Sequence, residues 1–123
     1  MTSEERSELL APTAECSATP SAPTNVSTRQ NIQLRGTHTY KIVNPGGAAI
    51  NVTIEAILED SRSHSNSNSQ PLTVGPHSSE QGTMNTFLTT SYDTPGNVMV
   101  TARTRITGDA FCSTSSGQNM HVT

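Results

Sequence analysis

Two stretches of strict alternation constrain this chain more than anything else in it. Ile50, Val52, Ile54, Ala56 and Leu58 fall on one parity, with Asn51, Thr53, Glu55 and Glu59 on the other. Val98, Val100, Ala102, Thr104 and Ile106 repeat the pattern against Thr101, Arg103, Arg105 and Thr107. Successive side chains of a strand point to opposite faces, so a period of two describes a sheet with one buried side and one wet side. No long helical period accompanies them.

Only 31% of the 123 residues are apolar and 3% aromatic, where soluble domains run at about 45 to 50% apolar. The core must be thin and aliphatic. Serine and threonine together number 35, threonine leading, which suits solvent-facing strand positions. A core this small predicts reliance on something further: backbone ladders, a disulfide or a partner subunit.

The net charge is −3, Lys41 is the only lysine, and the six arginines are scattered. A nucleic-acid binder needs a basic stripe to displace counterions, so nucleic acid is not an expected partner. No apolar run approaches the eighteen residues of a membrane span, and Met1 to Leu10 carries acids where a signal peptide carries an apolar stretch. The compartment is not legible. Cys16 and Cys112 match no zinc or redox spacing. Either they pair, tethering the N-terminal segment to the domain, or both are free thiols.

Along the chain, Thr2 and Ser3 before Glu4, Glu5 and Glu8 carry helix-start signals that end by Pro12. Pro12, Pro20 and Pro23 then enforce an extended path, so residues 1–25 are expected to form an N-terminal arm with a short helix, and residues 26–123 the folded domain. Ile32 and Leu34 start a first strand that Gly36 is expected to end, and Thr37 to Val43 forms the next. Asn44, Pro45, Gly46 and Gly47 make the strongest turn signal, joining that strand to Ala48 to Glu59 as a hairpin. Asp60 to Gln70 has no apolar member and is expected to be a loop. Leu72 and Val74 form a short strand. The spacing of Met84, Phe87 and Leu88 within Gly82 to Thr90 predicts a bulge. Asn97 to Thr107 is the second strong strand, with further short ones at Ala110 to Ser113 and Asn119 to Thr123.

Seven or eight short strands at regular spacing predict an all-β, antiparallel β-sandwich, either immunoglobulin-like or a jelly roll. Tyr40, Ile42, Val43, Asn44, Pro45, Gly46 and Gly47, then Val52, Ile54 and Leu58, then Val74, Gly75 and Pro76, resemble the strand pattern of bacterial immunoglobulin-like adhesion and scaffold modules. The likeness covers residues 37–107 and implies a non-catalytic binding or spacer role. The chain departs from immunoglobulin domains in having no Trp and no inter-sheet Cys pair at their usual places. A threonine-rich surface fits jelly-roll coat or fibre domains equally well.

Chemistry is sparse. His38, His64, His77 and His121 stand apart, and no carboxylate completes a metal-ligand spacing, so neither a metal nor another cofactor is expected. His38 shares the parity of Tyr40 and Ile42 and is expected as a hydrogen-bonded residue at the sheet margin. No Gly-x-Ser-x-Gly elbow occurs, and the adjacent Glu59 and Asp60 point to opposite faces of a strand, which spoils them for shared acid-base work. Arg103 and Arg105 share a face and can fork onto carboxylates, sugars or phosphates of a partner, or pair across the strand with Glu55 and Glu59.

The expected function is a non-catalytic structural or interaction subunit. It would self-associate as a homo-oligomer, or decorate a larger assembly such as a coat, filament or surface scaffold, through edge strands and the arm. The alternative is a carbohydrate-binding module, a lectin that uses end loops. Sugars stack on aromatic rings, and of Tyr40, Tyr92, Phe87 and Phe111, Tyr92 beside Asp93 in a turn is the foremost candidate.

Overall fold

The computed structural model describes residues 11–27 and 29–123, and within them the chain forms eight strands in two sheets. In chain order these are β1 (Thr13–Ser21), β2 (Asn25–Val26), β3 (Ile32–Asn44), β4 (Ile50–Asp60), β5 (Ser65–Val74), β6 (Ser78–Thr90), β7 (Gly96–Gly108) and β8 (Cys112–Val122). One sheet runs β1-β3-β6 and the other β2-β8-β7-β4-β5. Every pairing is antiparallel except that of the two-residue β2, which lies parallel to β8. The architecture is therefore an all-β sandwich with one mixed sheet.

Several expectations need correction. The turn at Asn44 to Gly47 does not close a hairpin: β3 pairs with β1 and β6 while β4 pairs with β5 and β7, so this turn carries the chain from one sheet to the other. Residues 13–21 are not a free arm: β1 pairs along its whole length with β3, from Thr13 opposite Val43 to Ser21 opposite Arg35. Pro20 is tolerated because β1 is an edge strand, where a missing N–H breaks no ladder. The helix expected before Pro12 lies outside the described residues. Gly36 does not end a strand, since β3 runs straight through it. A Cβ there would meet Thr86 Oγ1 at 2.7 Å and His38 Nε2 at 2.8 Å, so the glycine makes room for an imidazole rather than a turn.

The supposed loop Asp60 to Gln70 is largely strand, because Ser65 to Gln70 belong to β5 and pair with β4. An edge strand with water on both faces needs no apolar parity; its backbone ladder suffices. The bulge is absent: β6 pairs with β3 without interruption from Thr90 opposite Ile32 to Ser78 opposite Asn44. Phe87 breaks the alternation because it sits on the outer face, 47% exposed.

Two apolar clusters fill the space between the sheets. One holds Leu34, Leu58, Leu88, Val98, Val100, Met120 and Val122 among others, and the second Ile42, Ile50, Val52, Ile54, Val74, Met84 and Ile106. Between them, at mid-height, lies a polar layer. His38 is fully buried, with Nδ1 3.0 Å from Thr104 Oγ1 and Nε2 2.9 Å from Thr86 Oγ1. It is central, not marginal. Thr104 gives its single hydroxyl proton to Ser17 O at 2.8 Å, so it accepts from His38 Nδ1–H, and Nε2 accepts from Thr86. Burial holds the His38 imidazole below its ordinary value and so keeps it neutral.

Cys16 on β1 and Cys112 on β8 form a disulfide, Cα atoms 6.2 Å apart, that staples the two sheets along one side. At one end, Asn44 ties two connections together. Its Nδ2 donates towards Ala48 O, Val74 O and Gly75 O, and its Oδ1 accepts from Gly46 N–H.

Candidate functional site

The densest constellation of titratable groups surrounds Asp60 at the end of β4. Its Oδ1 accepts the N–H groups of Arg62 and His64, each at 2.9 Å. Its Oδ2 accepts the Tyr92 hydroxyl at 2.7 Å and His64 Nδ1–H at 2.8 Å. Burial pushes the Asp60 carboxyl up, but the bonds from His64, Tyr92 and Arg62 together outweigh it and leave the group below its ordinary value. Tyr92 is raised, first by burial and then by the Asp60 bond. The His64 ring meets Tyr92 edge-on at 5.7 Å, and Arg62 lies over the same ring at 5.6 Å. Asp60 therefore ties the β4–β5 turn to the segment before β7. Every lone pair of the carboxylate is occupied, which leaves none for a substrate.

This placement bears on the sugar-stacking role expected of Tyr92. The residue is 2% exposed and offers no ring face to a ligand. Its burial was hidden in the sequence, since Ser91 and Asp93 flank it, and its partner lies thirty-two residues away. Asp93 is exposed beside it, and Arg29 NH1 donates to Asp93 O at 3.2 Å. Arg103 and Arg105 do share the outer face of the five-stranded sheet. Arg103 NH2 pairs with Glu59 Oε1 at 3.3 Å, and Arg105 stands in register opposite Glu55. Arg103 is thus engaged along its own sheet, and Arg105 lies beside a carboxylate of the same face. Among the described residues, no three His, Cys, Asp or Glu side chains gather as metal ligands would.

What remains open is backbone. Among the described residues β6 lies at the end of its sheet and pairs with β3 alone. In an antiparallel strand every second residue turns both its N–H and its C=O away from the paired neighbour. Along thirteen residues β6 carries one charge, Glu80, and no proline, so it lacks the usual devices that blunt an edge. β6 packs against β4 and β5 of the other sheet, and among the described residues Asn66 Nδ2 on β5 donates a hydrogen bond to its edge at Phe87 O, at 2.6 Å. The other edges are better covered. Thr104 and the disulfide engage β1, β2 lies against β8, and β5 carries Pro71. This difference was not legible in the sequence, because strand order is not.

No protein-family model matches the chain, and no curated protein does. Among solved structures, a Northeast Structural Genomics Consortium target aligns over 92% of this chain and 89% of its own, at 15% identity and TM-score 0.41. A protein from Archaeoglobus fulgidus aligns over 87% of this chain and 93% of its own, at 14% identity and TM-score 0.38. The Pseudomonas fluorescens alkylpurine DNA glycosylase AlkC, bound to DNA with an abasic-site analogue, aligns over 90% of this chain but 30% of its own, at 9% identity and TM-score 0.44.

Proposed function

We propose that this protein is a non-catalytic, immunoglobulin-like interaction module that joins a larger assembly by adding strands at its open edge. The observation that carries this is β6, thirteen residues long, with β3 as its single sheet neighbour among the described residues. Such an edge recruits a further strand through main-chain hydrogen bonds, with affinity from the backbone and selectivity from alternate side chains. The immunoglobulin-like assignment is supported by the strand order: β1, β3 and β6 face β8, β7, β4 and β5. That order resembles strands A, B and E against G, F, C and C′, without a counterpart of strand D among the described residues. Tyr92, in the connection between β6 and β7, occupies the place of the corner tyrosine of such sandwiches, although its hydroxyl here goes to the Asp60 side chain. The disulfide favours a working place outside reducing compartments.

Sedimentation velocity of the purified protein across a hundredfold concentration range tests the proposal. The expected result is association that strengthens with concentration. A sedimentation coefficient that stays monomeric throughout, together with failure to capture any extended peptide from a random library, would remove it. A carbohydrate-binding role has one supporting observation left, the Phe111 ring, 67% exposed in the turn between β7 and β8. A glycan array comparing the wild type with Phe111→Ala addresses that role directly.

A further inference from the structure

We propose that two copies pair β6 against β6 antiparallel about a two-fold axis at Gly82, making one continuous sheet of six strands. The inference rests on the interaction role proposed above and specifies its partner and register.

Two features favour a second copy. A two-fold axis through a residue sets position i against a position of the same parity. The polar outer row of Ser79, Gln81, Thr83 and Asn85 therefore continues into its own image, and the inner row does likewise. The pairing also avoids repulsion. With the axis at Gly82, the one charge of the strand, Glu80, faces Met84 of the second copy. Glu80 then stands about 14 Å along the strand from its own image, beyond a Debye length of about 8 Å at physiological salt.

The position of the axis follows from what is covered and what is bare. Asn66 occupies the edge at Phe87, which leaves Ser78 to Thr86 without a further strand among the described residues, and Gly82 is the middle of that stretch. Gly82 is also where the Tyr40 ring takes the space of a side chain: an added Cβ would meet Tyr40 Cζ at 2.7 Å. Two backbones can meet at the axis there without a side chain between them, with a tyrosine from each copy alongside. On the outer face the register sets Gln81 against Thr83 and Ser79 against Asn85 of the second copy, which are amide-to-hydroxyl pairs. It also brings the exposed Phe87 towards the exposed His77 of the second copy, at either end of the joined strands.

Charge pairs across the axis test both partner and register, using the full chain in sedimentation equilibrium. Mixing Gln81→Lys with Thr83→Glu should tighten the mixed dimer by about two- to fivefold over either variant alone, the worth of one opposite-charge cross-strand pair. Mixing Gln81→Lys with Asn85→Glu should give no such gain. The double variant Gln81→Lys, Thr83→Lys should be monomeric while keeping the urea midpoint of the wild type, since both positions face solvent. If the wild type dimerises and the double-lysine variant dimerises equally well, the β6 pairing is wrong although self-association stands. A gain with Asn85→Glu instead would overturn the register. A wild type that is monomeric at all concentrations overturns the second copy as the partner, and capture of a foreign peptide would then leave the open edge as the working site.

Discussion

The Tyr92 hydroxyl lies 2.7 Å from Asp60 Oδ2, and this bond ties the connection before β7 to the turn after β4. Tyr92 is the most voluminous of the fully buried side chains, so the bond fixes a large apolar body through its polar tip. Removing the hydroxyl in Tyr92→Phe takes one donor from an ionised acceptor that keeps three others. The expected loss is about 1.5 to 3 kcal/mol, read as a lower urea midpoint at unchanged slope. Asp60→Ala should cost more, because it unties the Arg62, His64 and Tyr92 donors together.

Two pH windows follow from two of the shifted groups, His38 and Asp60. His38 is held below 6.5, so between that value and its folded pKa the unfolded chain binds a proton that the folded chain refuses. Its contribution is complete above pH 6.5 and is lost as pH falls. Asp60 is held below 3.8, so its contribution is complete above pH 3.8 and is lost on further acidification. Urea midpoints measured from pH 8 to 3 should fall in two steps. A His38→Phe background should flatten the upper step alone.

The disulfide closes a loop spanning 96 residues in sequence. In the chain-entropy account a loop near 100 residues is worth about 4.7 kcal/mol. Reduction, or Cys16→Ser with Cys112→Ser, should lower stability by an amount approaching that figure. Calorimetry with and without a thiol reductant measures it. A native edge strand should remain, since β1 keeps its ladder with β3.

Gly36→Ala should be among the costlier single-methyl changes in this chain. The added carbon has Thr86 Oγ1 at 2.7 Å and His38 Nε2 at 2.8 Å. Neither group can retreat without breaking the bond between them, so a loss of about 1 to 3 kcal/mol is expected. By contrast, Arg103→Ala removes a partly exposed ion pair and should cost less than about 1 kcal/mol. Parallel denaturation of the two variants checks the ranking.

Strands with one wet and one dry face were legible. Ile50 to Leu58 and Val98 to Ile106 announced themselves through period two, and pairing of Arg103 with Glu59 follows from their sharing the wet face. Segments without that contrast were not. Ser65 to Gln70 has water on both faces, so nothing in its residue types separates a strand from a loop. β1 hides behind Pro20 and its Ser and Thr residues, and what holds it lies in β3 and β8, far along the chain. Tyr92 looked like a turn residue because the carboxylate that satisfies it is distant in sequence. The open edge of β6 depends on strand order, which composition and periodicity do not encode.

Alternation forbids a strand from slipping by one residue, which would turn its apolar side to water, but it tolerates a slip of two. In this molecule the layer of His38, Thr86 and Thr104 closes that loophole. Moving β6 or β7 by two positions would present a methyl or an alkyl chain to the imidazole and strand a hydroxyl among aliphatic groups. One misfit ring near the midline thus works as an alignment pin, giving a threonine-rich sandwich a single way to stack its layers.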